Sequence, residues 1–147
     1  MKLYFQVPGR PKPKERPRFG KGHAHKSKKA EADEEWVRWH LLRAMKAQGI
    51  KQIEGPIKIT CFFFYKKPLK AKNDYPFEGY ADFDNLEKLV CDACNKLPYK
   101  DDCLITKGTT QKSFSDEDAS YVMIETNNDI MLSSEDFRTY WKDLINA

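Results

Sequence analysis

The sequence predicts a mixed α/β fold of the α+β kind, a small mixed β-sheet with helices packed on it. Three observations carry this expectation. Residues 2–8 and 56–66 are rich in alternating apolar, β-branched and aromatic side chains, as strands are. Residues 31–48 and 84–97 repeat apolar residues at helical spacing. The two kinds of segment are interleaved along 147 residues, in the order β, α, β, α, β, β, α, without internal repeats. A chain of this length is expected to form one domain, here residues 1–147, and to bury a core without disulfide or metal staples.

The elements follow in order. In 2–8, Leu3, Phe5 and Val7 fall on one side and Tyr4 on the other, which is a strand pattern. Residues 9–29 then hold nine basic residues and one acid, a net +8. The rest of the chain, with 17 basic and 21 acidic residues, carries −4. Pro11, Pro13, Pro17, Gly9, Gly20 and Gly22 punctuate the basic segment. It is expected to avoid helix and strand and to be mobile without a ligand.

A helix is predicted over 31–48. Glu31, Asp33, Glu34 and Glu35 sit at its positive dipole end, Val37, Leu41, Ala44 and Met45 form its apolar stripe, and Gly49 stops it. Residues 56–66 (PIKITCFFFYK) are the strongest strand, and a lysine-bearing loop occupies 67–81. The helix over 84–97 directs Leu86, Val90, Ala93 and Leu97 at a core. Strands over 103–113 and 119–126 are joined around Ser115–Asp118. A last helix, opening at Ser134, lines up Phe137, Tyr140, Trp141, Leu144 and Ile145, a packing stripe within an extension over 133–147.

Charge narrows the function. A +8 segment on a −4 body points to a polyanionic partner. The candidate contacts are Arg10, Lys12, Lys14, Arg16, Arg18, Lys21, Lys26, Lys28 and Lys29, with Lys67, Lys70 and Lys72 of the second loop. Phe19, His23 and His25 lie among them and can stack on bases or sugars. A charge run alone favours a solvated, disordered loop. No apolar run is long enough to span a membrane, the N-terminus lacks a secretory pattern, and a cytoplasmic protein is expected. No P-loop or dinucleotide fingerprint occurs, so no nucleotide cofactor is expected.

Asp82-Phe83-Asp84-Asn85 carries the most chemistry. In extended backbone, residues i and i+2 point the same way, so Asp82 and Asp84 can present two carboxylates to one point just before a helix. Lys88 and Asp92 follow at one and two turns beyond Asp84, and Asp101-Asp102 supplies a further acidic pair. Clustered carboxylates repel one another, and hard Mg²⁺ relieves that cost through oxygen ligands. Such a site suits phosphodiester hydrolysis, with a lysine to orient water or offset developing charge. The same residues also read as structure: Asp84-x-x-Glu87 resembles a capping box, Lys88 fits ordinary helix-surface pairs, and Asp101-Asp102 fits a polar turn.

The ordered set Asp82-Phe83-Asp84-Asn85-Leu86-Glu87-Lys88, Asp92-Ala93 and Asp101-Asp102-x-x-Ile105 resembles the signature of the RusA family. Its members are small Holliday junction resolvases, endodeoxyribonucleases often carried by phages and prophages. The resemblance reaches to about residue 126, and Arg16-Pro17-Arg18 resembles a basic-proline motif of some members. It implies that Asp82, Asp84 and Asp102 bind metal, that Lys88 is the catalytic lysine, and that Asp101 and Asp92 support them. It also implies Mg²⁺ as cofactor with Mn²⁺ as substitute, a homodimer, and branched, four-way-junction DNA as partner, for use in DNA recombination and repair. Cys94 and Leu104 depart from the pattern, and the turn Asn95–Pro98 lacks the family's glycine.

Two other readings remain: a non-catalytic nucleic-acid-binding protein using the basic segment, and an interaction protein using the last helix. The lone CxxC, Cys91–Cys94, has no second ligand pair and falls inside a predicted helix, so reduced thiols are expected rather than zinc.

Overall fold

The computed structural model describes residues 1–16, 18–20, 22–129 and 133–147, with the side chains of 18, 19, 23 and 24 left aside. The elements are β1 (Lys2–Pro8), β2 (Arg18–Gly20), β3 (His23–His25), α1 (Lys28–Gln48), β4 (Ile57–Lys66), α2 (Phe83–Cys94), β5 (Ile105–Ser115), β6 (Ala119–Thr126) and α3 (Ser134–Ile145). A single 3-10 turn, Asp102–Leu104, leads into β5. Among the described residues no helix is long and apolar enough to cross a membrane.

The expected mixed sheet is present, in the order β1-β6-β4-β5. β6 runs antiparallel to both β1 and β4, whereas β4 and β5 are parallel. A parallel pair needs a crossover connection, and α2 supplies it, making β4-α2-β5 a βαβ unit. The strands over β5 and β6 are consecutive in sequence but not neighbours in space, because β4 lies between them.

Alternation in β1 and β4 sorts the sheet into two faces. Leu3, Phe5 and Val7 of β1, Ile57, Ile59, Cys61, Phe63 and Tyr65 of β4, and Val122 and Ile124 of β6 are buried in the core. Val37 and Leu41 of α1 and Leu86, Leu89, Val90 and Ala93 of α2 close that core from above. The opposite face carries Tyr4, Phe62, Tyr121 and Met123, which line an open apolar groove. Every residue of α3 is exposed, so the predicted packing stripe of Phe137, Tyr140, Trp141, Leu144 and Ile145 stays at the surface, with Phe137 stacked on Trp141.

Helix α1 begins three residues earlier than the sequence suggested. Ser27 caps it, its hydroxyl accepting the Ala30 N–H at 3.1 Å, so Lys28 and Lys29 belong to the first turn rather than to the basic loop. At the other end Gly49 takes the left-handed conformation, φ 67°, and Ile50 N–H reaches the Met45 carbonyl at 2.9 Å, a Schellman stop. Gln48 donates to the Tyr4 carbonyl and accepts the Tyr4 N–H, which satisfies the outer edge of β1.

The segment 9–29 corrects the expectation that it would avoid regular structure. Arg18–Gly20 pairs antiparallel with His23–His25, a short hairpin in which Gly22 adopts φ +77°. Helix α2 also ends sooner than expected, at Cys94 rather than 97. In the turn that follows, Lys96 takes φ 66°, the backbone position where a glycine would be unstrained.

Candidate active site

Helix α2 is the platform, and the chain enters it under restraint. The Lys112 ammonium of β5 donates to the Ala81 carbonyl at 2.9 Å, tying the residue before Asp82 to the sheet. Asp82 is the N-cap residue with extended backbone, and its carbonyl accepts the Leu86 N–H at 3.1 Å. Its carboxylate makes no capping hydrogen bond. Asp84 lies in the first turn and is exposed. The Asp84–Glu87 capping box does not form, because Glu87 turns to β5 and accepts a hydrogen bond from the Thr110 hydroxyl. Gly108 makes that approach possible, since a Cβ there would stand 3.0 Å from Glu87 Oε1. The helix therefore leaves both the Asp82 and the Asp84 carboxylates uncommitted to capping.

Lys88 is exposed and forms no ion pair among the described residues, so the helix-surface pairing considered for it with Asp84 and Asp92 does not occur. Asp92 is instead 2.8 Å from the Lys14 ammonium. Asp84 and Asp92, two turns apart, stand about 12 Å from each other along the helix axis.

Asp102 arrives from a different element. Asp101 caps the 3-10 turn through its carboxylate, which accepts the Cys103 N–H at 2.9 Å. Hydrogen bonding to the Cys103 backbone holds the Asp101 carboxyl below its ordinary value. The capped turn presents Asp102 half-buried, beside the fully buried Tyr99. Burial pushes the Asp102 carboxyl up, the Tyr99 hydroxyl opposes that, and the charges of Asp92 and Asp101 add to the rise. The net effect holds the Asp102 carboxyl above its ordinary value. Its Oδ1 is buried and has no hydrogen-bond partner.

This donor set suits a hard cation in its chemistry: oxygen ligands only, one of them an orphaned buried acceptor with a like-charged neighbour. It does not form a finished cage. Among the described residues no three His, Cys, Asp or Glu side chains converge at metal-ligand spacing. Asp82 and Asp84 sit at the N-terminal end of α2, while Asp102 has Asp92 for its electrostatic neighbour further along the helix.

The basic segment meets this helix directly. Lys14 N–H donates to the Asn85 carbonyl at 2.8 Å, and the half-buried Lys14 side chain lies between Glu34 and Asp92. Lys14 is thus an ion-pairing residue rather than a free phosphate contact. Lys26 lies 2.9 Å from Glu34 yet remains half-exposed. Arg10 lies over the rings of Tyr65 and Tyr80, 5.0 and 5.1 Å from their centroids. Lys12, Arg16, Lys28, Lys29, Lys70 and Lys72 are exposed. Lys67, also exposed, is 4.0 Å from Asp74. Lys21 lies outside the described residues, as do the side chains of Arg18, Phe19 and His23.

Sequence reasoning missed Glu34, Glu87, Tyr99 and Lys112 as organisers of the site. The acid-rich start of α1 was its only hint of Glu34, and it read as a dipole effect.

All four cysteines are free. Burial pushes Cys61 and Cys94 well above the normal thiol range, and Cys91 up to about 12. Cys61 and Cys94 are therefore expected to resist iodoacetamide in the native protein at pH 8 and to react only on unfolding. Exposed Cys103 reacts first, as a mass-resolved time course would show.

A family model described as endodeoxyribonuclease RusA matches residues 8–125, a span that runs from the end of β1 through nearly all of β6 and leaves out α3. No curated protein matches the chain.

Proposed function

The chain belongs to the RusA endodeoxyribonuclease family, and from that premise we propose that it is a metal-dependent endonuclease cutting four-way DNA junctions as a homodimer. One observation carries the reading beyond the family: the basic segment rests its Lys14 on the same helix that presents Asp82, Asp84 and Lys88. A backbone-binding element and an acidic, lysine-bearing face are thereby adjacent.

Asp82, Asp84 and Asp102 would hold Mg²⁺, with Mn²⁺ as a substitute. When bound, the cation would polarise the scissile phosphoryl group and lower the pKa of water. Asp101 holds the turn that presents Asp102, and Asp92 keeps that carboxyl's affinity for a positive charge high. The Lys88 ammonium, unclaimed by any acid among the described residues, is available to the charge that develops on the phosphoryl oxygens. Lys12, Arg16, Lys28, Lys29, Lys70 and Lys72 would take phosphates, so binding is salt-sensitive and reads branched shape more than base sequence.

The homodimer follows from the substrate: a four-way junction is nearly two-fold symmetric, and two related sites cut opposing strands. The apolar groove of Tyr4, Phe62, Tyr121 and Met123 offers a surface for such a contact. A cytoplasmic location and reduced thiols belong to the same reading.

The test compares a synthetic four-way junction with a linear duplex of the same arms. The junction should be bound in preference and cut in Mg²⁺. Equal handling of both substrates would remove the junction-specific part of the reading.

A further inference from the structure

We propose that Glu34 is the positioning residue of the DNA-contacting segment: its buried carboxylate clamps both legs of the basic loop and, through Lys14, fixes that loop over α2. The proposal rests on the nuclease reading for its consequence, but its geometry stands alone. Glu34 is only 4% exposed, an unusual place for a carboxylate. Lys14, before the hairpin, hydrogen-bonds one of its oxygens. Lys26, after the hairpin, is 2.9 Å from the other. Arg38, one turn along α1, is 3.7 Å from that same oxygen. The two legs of the loop thus end on one side chain.

A second tie runs parallel to it. The Ser27 hydroxyl donates to Glu15 at 2.6 Å, joining the residues next to Lys14 and Lys26. The Lys14 ammonium also reaches Asp92 at 2.8 Å, so the clamp is anchored on α2 as well as α1. Burial alone would push the Glu34 carboxyl up, but its hydrogen bonds to Lys14 and Lys26 outweigh that and hold it below the ordinary range. Burial likewise pushes Lys14 down, and its bonds to Asp92 and Glu34 more than reverse the effect.

The physical need is plain. A segment with a net +8 repels itself, and its legs would splay without a buried counter-charge at their base. Closing the base fixes the two legs of the loop, at Lys14 and Lys26, before DNA arrives. Ordering achieved in advance is not charged against binding. The remaining exposed cations are left to phosphate.

Glu34→Gln keeps the shape and removes the charge. It is expected to weaken four-way-junction binding by about tenfold while the single-turnover cutting rate at saturating protein stays within about twofold. A residue that only supported the core would shift thermal stability without this split. Limited trypsin digestion of the free protein provides a second readout. Cleavage between residues 18 and 29 should accelerate about tenfold in the variant, with the rest of the chain still protected.

Lys14→Gln opens the same clamp from the loop side and carries the test should Glu34→Gln fail to fold. The double variant should bind no more weakly than the poorer single variant, since both remove one device. Unchanged affinity with an unchanged digestion pattern would overturn the proposal. So would a slower saturated rate at unchanged affinity. Digestion is read without DNA, so a wild-type protein that bound no junction would overturn the nuclease reading while the digestion pattern still decided the clamp.

Discussion

Asp102→Asn is expected to reduce cleavage of a four-way junction by about a thousandfold or more, the scale of losing a group that acts on the reacting phosphate. The same substitution should leave the fold intact or stabilise it. Asp102 is half-buried, has an oxygen with no partner, and feels the like charges of Asp92 and Asp101. Each of those features costs stability in the ionised form, and the neutral isostere relieves the charge. Junction affinity should hold or rise, because a negative charge is removed from the neighbourhood of phosphate. Activity and stability would then move in opposite directions. A residue retained for structure would lose both together, as thermal melts run beside gel-resolved cleavage would reveal.

Lys88→Ala should reduce cleavage by about a hundredfold with little change in the melting temperature. Lys88 has no structural task to lose. It is exposed on α2, pairs with no acid among the described residues, and alanine is the better helix former. Were Lys88 an ordinary surface charge, the substitution would change binding slightly and cutting hardly at all. Single-turnover rates at saturating protein separate the two cases, and partial recovery by Lys88→Arg would assign the effect to positive charge.

Local patterns were largely legible in the sequence. Alternation in 2–8 placed Leu3, Phe5 and Val7 in the core, and helical spacing did the same for Leu41, Leu86, Val90 and Ala93. Those patterns depend on nearest neighbours along the chain, so sequence carries them directly. What it did not carry was pairing across distance. Lys14 and Asp92 are far apart in sequence, and nothing local marks their contact. The start of α1 was hidden because Lys28 and Lys29 extend a basic run, although Ser27 supplies the cap. The insertion of β4 between β5 and β6 is a matter of topology, not of spacing.

The candidate site divides in the same way. The motif marked Asp82, Asp84, Lys88 and Asp102 as candidates, and Asp102 opens a 3-10 turn that Asp101 caps. It could not show that the carboxylates would stand unfinished as a ligand set, with no three of them converging among the described residues. Nor did the +8 segment betray that its own charge is partly spent at Glu34 and Asp92. The basic segment and the acidic helix are joined by Lys14, which belongs to the first and pairs with Asp92 of the second.

The most direct measurement is cleavage of an end-labelled four-way junction by wild-type protein across a Mg²⁺ titration, with Asp82→Asn run alongside and binding followed in parallel. The account predicts paired cuts in opposing strands that appear only with the divalent ion, and an Asp82→Asn protein that binds the junction yet does not cut it. Tight, salt-sensitive binding with no cutting in either Mg²⁺ or Mn²⁺, or normal cutting by Asp82→Asn, would contradict it.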